Sequence, residues 1–270
     1  MNSGKRGARR PITNHTMTHP TRFFVLFLGL LAPLFVRAQT LVVELNFDSS
    51  DFTQTGTAGT TFSPYQGTVT FDTGVGGGTA AVFDGSTSLQ ASDTPVTTAL
   101  TVSFWMKTTT DNGLIGDQWY HGAGLVDGEL GGDTTDWGLS QIGSQLAFGI
   151  GSSDTTIFST SSVNTGNWIH VAATWDTSGT MNLYLNGSLD TTYGIGSSDL
   201  RDTTNPFFIG QDLGGGTYTG SLDEIRIYDS ALSGGQISAL AAIPEPSTYA
   251  LLAGVAVLGL AVIRHRVNRA

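Results

Sequence analysis

Asp127, Glu129, Asp133 and Asp136 form the densest cluster of carboxylates in the chain, on a Gly-rich stretch flanked by Trp119, Tyr120 and Trp137. Such a loop can do two kinds of chemistry. Aromatic faces stack on pyranose rings while acids accept hydrogen bonds from sugar hydroxyls. Carboxylate oxygens also suit a calcium ion. A solvated acidic loop with Trp137 folded into the core would carry the same residues, and the pattern leaves these readings open. Glycoside hydrolysis asks for more: two carboxyl groups about 5 to 10 Å apart, one of them placed to donate a proton. Asp127 and Glu129, two residues apart, would share one face of a strand.

Other catalytic chemistries find less support. Between Gln39 and Ile243 the histidines are His121 and His170, and no Gly-x-Ser-x-Gly elbow accompanies them. The clusters Gly76–Gly78 and Gly214–Gly216 lack the Lys-Ser/Thr pair or following helix of a phosphate loop. The chain has no cysteine, so neither a thiol nor a disulfide is available, and an exported domain must rest on its core and on any metal it binds. No residue is assigned a catalytic role.

Charge narrows the partners. From Gln39 to Ile243 the basic residues are Lys107, Arg201 and Arg226, against 18 Asp and three Glu, a formal charge of −18. That surface repels nucleic-acid phosphates and anionic membranes. The bias to Asp over Glu fits turns and calcium-binding loops better than helices, the profile of an extracellular β-protein.

Both termini read as delivery tags. Lys5, Arg6, Arg9, Arg10 and Arg22 precede the apolar run from Phe23 to Phe35, and Val36-Arg37-Ala38 suits a signal peptidase cutting after Ala38. An uncleaved anchor is the alternative, although this 13-residue run, interrupted by Pro33, is short for the ~20 residues of a spanning helix. At the other end, Pro244-Glu245-Pro246 leads into an apolar run from Tyr249 to Ile263 and a basic tail of Arg264, Arg266 and Arg269. Those fifteen residues would rise about 22 Å as a helix, against a hydrocarbon core of ~30 Å. A temporary stop in the inner membrane suits that length, with the arginines cytoplasmic. Segment 243–270 resembles the PEP-CTERM sorting signal. The resemblance implies processing by an exosortase near Pro244, Glu245 and Pro246, then release to the envelope or matrix.

The remaining stretch is patterned as β-structure. Runs rich in β-formers recur between turn residues: Leu41–Phe47, Ala80–Phe83, Leu100–Thr108, Trp137–Ile142, Leu146–Ile150, Trp168–Trp175, Met181–Leu185, Pro206–Ile209 and Leu222–Tyr228. In Leu100–Thr108, alternation puts Val102, Phe104 and Met106 on one face. Asn186-Gly187 predicts a type I′ hairpin turn, which also outweighs a glycosylation reading of Asn186-Gly187-Ser188. A single short helix is predicted over Ala231 to Leu240, with Ser233 as its cap.

Taken in order, Ala81-Val-Phe-Asp-Gly85, Leu100 to Lys107, Asn167-Trp-Ile-His-Val-Ala-Ala-Thr-Trp175, Met181 to Gly187, Phe208-Ile-Gly210 and Gly220-Ser-Leu-Asp-Glu-Ile-Arg-Ile-Tyr228 resemble the LamG-like jelly roll of the concanavalin A-like lectin/glucanase superfamily. The resemblance covers residues 39–240. It implies an all-β jelly-roll sandwich of two curved antiparallel sheets with about 12 to 14 strands, the first pairing with the last. It also implies a Ca²⁺ ion held by Asp48, Asp223 and backbone carbonyls, and a packing role for His170. Catalytic relatives carry a Glu-x-Asp-x-x-Glu strand, which this chain lacks. Trp105, Trp168 and Trp175, in strand motifs, are expected in the core. The function expected is an exported, non-catalytic binding or matrix module engaging glycans or other envelope polymers. The alternatives are a glycan-cleaving enzyme or a structural, adhesive surface protein.

Overall fold

The computed structural model describes residues 39–242 apart from 95, 97, 113–115, 130–131, 133–135, 152–154 and 195–205. Segments 1–38 and 243–270, with the signal-cleavage position Ala38, the Pro244-Glu245-Pro246 motif and the apolar run 249–263, lie outside the described residues, as does Asp133. Among the described residues no helix is long and apolar enough to cross a membrane.

In chain order the strands are β1 (Leu41–Leu45), β2 (Phe62–Gln66), β3 (Thr70–Thr73), β4 (Thr79–Asp84), β5 (Ser88–Ala91), β6 (Leu100–Lys107), β7 (Ala123–Asp127), β8 (Trp137–Ile142), β9 (Gln145–Ile150), β10 (Thr155–Phe158), β11 (Ile169–Trp175), β12 (Thr180–Leu185), β13 (Ser188–Gly194), β14 (Phe208–Ile209) and β15 (Thr219–Tyr228). One sheet runs β13-β12-β11-β6-β15-β4-β3, with β1 also paired to β15; the other runs β10-β9-β8-β7-β14-β5-β2. Every pairing is antiparallel, and the first strand meets the last, Leu45 opposite Ile225. The result is the two-sheet sandwich that the resemblance implies, with fifteen strands among the described residues rather than 12 to 14.

Alternation decides which side chains are sealed between the sheets. Val102, Phe104 and Met106 of β6 are fully buried beside Val171 and Ala173 of β11 and Leu183 of β12. From the other sheet come Leu125, Leu139, Leu146 and Phe148. Each large apolar side chain removed from water stabilises the fold by roughly 1.5–3 kcal/mol, which is how a domain without disulfides holds together.

Local chemistry sets the edges. Asn186 and Gly187 both take positive φ, 50° and 78°, and Leu185 pairs with Ser188, so β12 and β13 form the predicted hairpin. Helix α1 (Gly234–Ala241) is shorter than predicted and starts after Ser233, whose backbone N–H donates to Gln236 Oε1 at 2.9 Å. Ala231 and Leu232 precede it instead; Leu232 packs with Ile237 of α1 against Ala172 and Tyr184 of the sheet.

Candidate functional site

Of the acids predicted from sequence, the described Asp127, Glu129 and Asp136 come together at the second sheet, with Asp127 and Asp136 buried. Asp127 ends β7 opposite Gly138 and is 0% exposed. Its Oδ1 accepts the Glu129 N–H at 2.8 Å, while Oδ2 meets no hydrogen-bond donor among the described residues. Burial pushes Asp127 well above the usual carboxylate range, and the charges of Glu129, Asp212 and Asp136 add to the shift. Glu129 is pushed up to about 7, first by burial and then by Asp212 and Asp136.

Asp212 is the member that sequence reading missed. It lies on the turn after β14, where its own N–H donates to Gly216 O at 3.0 Å and its Oδ1 accepts the Gly216 N–H at 2.5 Å. Burial raises it to about 6, and the nearby His121 pulls the other way. The sequence signal was present in Gln211-Asp-Leu-Gly-Gly-Gly216, an Asp followed by glycines, as tight turns require. What the sequence hides is that this turn folds back on β7, with Gly124 N–H donating to Gly216 O.

The aromatic half of the expected site is corrected. Trp119 is 0% and Trp137 2% exposed, so neither ring offers a face to a sugar; Tyr120 is half-buried with its ring edge-on to Trp119. Trp119 packs over Ile142 and Ala147 on the outer face, and Trp137 belongs to the main core. Among the described residues no three His, Cys, Asp or Glu side chains converge closely enough to hold a metal. A second calcium ion here would therefore rely on two side chains at most together with backbone oxygens.

Asp48 and Asp223 do come together, around the Gly74–Gly78 loop. Asp223 Oδ2 accepts the Val75 N–H at 2.9 Å, and Asp48 Oδ1 accepts the Thr79 N–H at 3.2 Å. A Cβ added at Gly74 would collide with Asp223, and one at Gly78 with Asp48, so the missing side chains let the carboxylates in. A β-bulge between Asp223 and Arg226, with Glu224 at φ 51°, aims Asp223 at the loop. Burial pushes Asp223 to about 7, and the negative charges of Glu224 and Asp48 add to the shift. Two oxygen donors bound to loop amides and repelling each other fit a hard cation that also takes backbone carbonyls.

Ser103 Oγ lies 3.0 Å from His170 Nε2, a pairing the sequence did not flag. Both residues are 1% exposed, and His170 Nδ1 meets no partner among the described residues, so no acid completes a triad. His170 packs edge-on against Trp105 at 5.3 Å, and burial lowers its pKa to about 4. Of the three tryptophans expected inside, only Trp175 is in the sealed core; Trp105 and Trp168 are half-buried on its outside. Three open clefts formed by described residues lie beside Trp168, Phe52 and Lys107, and the one carboxylate lining them is Asp190.

Residues 83–238, more than half of the chain, match the family model described as the concanavalin A-like lectin/glucanases superfamily, and residues 242–267 match the PEP-CTERM protein-sorting motif. The fold is similar to that of Domain 4 of AbnA, a GH43 extracellular arabinanase from Geobacillus stearothermophilus, in complex with arabinotriose. Identity is 22% and the TM-score 0.60, over 75% of this chain and 98% of that one. It is also similar to the binding domain of Paraclostridial Mosquitocidal Protein 1, at 17% identity and TM-score 0.56 over 75% of this chain and 52% of that one. A third similar structure is the Botulinum Neurotoxin serotype G binding domain, at 16% identity and TM-score 0.56 over 74% and 50%. The chain spans about half the length of the two toxin domains. At these identities the likeness is one of fold. No curated protein matches the chain in sequence. With its two-sheet sandwich and the family match agreeing, the chain belongs to the concanavalin A-like lectin/glucanases superfamily and carries a PEP-CTERM sorting motif.

Proposed function

We propose that this protein is an exported, non-catalytic module that binds a glycan or another envelope polymer. The observation that carries the reading is where the acids are. The three open clefts lined by described residues present a single carboxylate, Asp190, whereas Asp127, Glu129 and Asp212, acids whose pKa burial raises, lie together in a largely buried cluster. Glycosidic cleavage needs two carboxyl groups facing one open site. Binding needs only an accessible polar cleft. The similar Domain 4 of AbnA, seen with arabinotriose, supports the glycan class. Affinity electrophoresis of the full chain in arabinan, dextran and β-glucan gels tests this; unretarded migration in all of them sinks glycan binding. Concentration-dependent self-association, insensitive to every sugar, would point instead to a structural or adhesive role.

One observation favours a second reading. Glu129, pushed up to about 7, has the pKa of a general acid. Release of reducing sugar by the protein, abolished in Glu129→Gln, would make it a glycan-cleaving enzyme.

Delivery follows from the ends. The PEP-CTERM motif marks an exported protein sorted to the envelope. In our reading signal peptidase cuts after Ala38, the apolar run 249–263 holds the chain briefly in the inner membrane, and an exosortase cuts near Pro244-Glu245-Pro246. Intact-mass measurement of the exported product reads both cuts. Ca²⁺ bound between Asp48 and Asp223 would tie the start of the fold to its last strand.

A further inference from the structure

We propose that the cleft between the Trp168 loop and the β12–β13 hairpin is the ligand site, and that it takes an uncharged oligosaccharide; this rests on the glycan-binding reading above. The cleft encloses about 440 Å³, within the ~300–1,000 Å³ of small-ligand sites. Trp168 is half-buried in its wall, with Lys107 Nζ 5.9 Å from the ring centroid. Leu189 stands at the hairpin edge, 54% exposed. An indole and a leucine lining one cleft supply apolar surface of the kind that the C–H face of a sugar ring covers.

Around them are groups that pair with hydroxyls. Asn167, Asn186 and Ser188 line the same cleft. Asn186 Oδ1 is engaged by the His170 N–H at 3.1 Å, which fixes the amide and turns its Nδ2 to other acceptors. No Lys, Arg or His lines the cleft. Its one acid, Asp190, is already committed: it accepts the Thr160 N–H at 2.6 Å, the Thr160 hydroxyl at 2.8 Å and the Thr191 hydroxyl at 3.0 Å. With no cation in its lining, and with the hydrogen bonds of Asp190 favouring its charged form, the cleft offers an anionic ligand a repelling carboxylate and no lining counter-charge.

The walls are also held before any ligand arrives. The Asp190–Thr160 bonds pin the loop to β13, and that loop is fastened further by Val163 N–H on Ser144 O at 2.7 Å and Gly166 N–H on Thr108 O at 2.8 Å. The hairpin is fixed by the Asn186 N–H on His170 O at 2.8 Å. Pre-formed walls lower the ordering cost of binding, and that is useful for a ligand held mainly by stacking.

The test is affinity electrophoresis of the full chain in neutral dextran, β-glucan and arabinan gels, comparing wild type with Trp168→Ala and Thr165→Trp. Thr165 is an exposed lining residue, so the added indole fills the cleft without touching the core. Both variants should weaken retention on the order of tenfold, equivalent to about 1.4 kcal/mol, with unchanged far-ultraviolet circular dichroism. If Trp168→Ala fails to fold, Thr165→Trp decides alone. Wild type retarded with Thr165→Trp retarded equally would overturn this cleft while leaving glycan binding intact. Wild type retarded in no neutral gel overturns both.

Discussion

The indole of Trp119 occupies the notch that Gly149 leaves on the outer face of the second sheet: a Cβ added at Gly149 would overlap the ring at Cγ and Cδ1. Gly138, the register partner of Gly149 across β8 and β9, leaves the adjoining space, and a Cβ there would also lie 2.8 Å from Asp127 Oδ2. Two facing glycines thus let an aromatic ring lie flat on a sheet and close over a buried acid. Gly149 does not take positive φ, so an alanine there meets crowding rather than backbone strain.

Gly149→Ala must therefore displace Trp119. Overpacking of this kind costs about 1–3 kcal/mol, and each kcal/mol moves the Tm of a domain this size by roughly 2–4 °C. A melt followed by circular dichroism should show a drop of about 3 to 10 °C, with a red shift in tryptophan emission as the ring meets water. An unchanged Tm and spectrum would mean that the indole is not seated there.

Stability should fall as pH rises from about 4 to about 7. Burial raises Asp127 and Glu224 and brings Glu129 and Asp223 to about 7 and Asp212 to about 6, whereas unfolded carboxyls titrate near 4. Through that window the native state binds more protons than the unfolded chain, so the slope of stability with pH is negative. His170, lowered to about 4 by burial, opposes it between about 4 and 6.5, with one group against five raised carboxyls. Melting temperatures in chelator-treated protein should be higher at pH 5 than at pH 8. Glu129→Gln with Asp212→Asn should shrink the difference, Asp127 and Asp223 supplying what remains; a profile that rises with pH in both proteins would contradict the buried cluster.

Much of the sandwich was legible because period-two alternation reports burial directly. The runs at β6, β8, β11 and β15 were located to within about two or three residues. The strands that escaped were those where alternation fails. Phe62-Ser-Pro-Tyr-Gln66 and Ser188 to Gly194 are edge strands with mostly exposed residues and little apolar signal. Ala123 to Asp127 is buried on both faces and ends in an acid. Asp48 and Asp223 were placed by motif order, since a bulge at Glu224 cannot be read from spacing. The Trp168 cleft was invisible because its two walls, residues 161–168 and 186–190, are brought together by tertiary contacts such as the Thr160–Asp190 hydrogen bonds, which spacing does not report.

The β12–β13 hairpin should depend on glycine at 187 and, at 186, on the side-chain oxygen rather than on asparagine as such. Gly187 has φ 78°, and a Cβ there would lie 3.0 Å from Ala241 Cβ and from Ser238 Cα of α1. Gly187→Val combines a strained left-handed residue, about 1–3 kcal/mol, with pressure on the helix. A fall in Tm of several degrees and faster amide exchange across α1 are expected. Asn186→Asp keeps an Oδ1 that accepts the His170 N–H and tolerates positive φ, and should shift Tm by less than about 2 °C. Equal losses in the two variants would remove the helix contact from the account.

Chelation gives the sharpest reading of Asp48 and Asp223. Without an ion, burial pushes Asp223 upward, the charges of Glu224 and Asp48 add to the shift, and the carboxylates of Asp48 and Asp223 meet around the Gly74–Gly78 loop. A bound Ca²⁺ reverses the sign of that interaction, and at a hundredfold excess over Kd it adds about 2.7 kcal/mol, or roughly 5 to 10 °C in Tm. EDTA should therefore lower the melting temperature of wild type by about that amount, and calcium, not magnesium, should restore it, because the smaller ion demands a stricter octahedral shell. Asp223→Ala should melt at one temperature with or without chelator. Identical wild-type curves in EDTA and calcium would show that these two acids serve only the loop amides of Val75, Thr79 and Glu224.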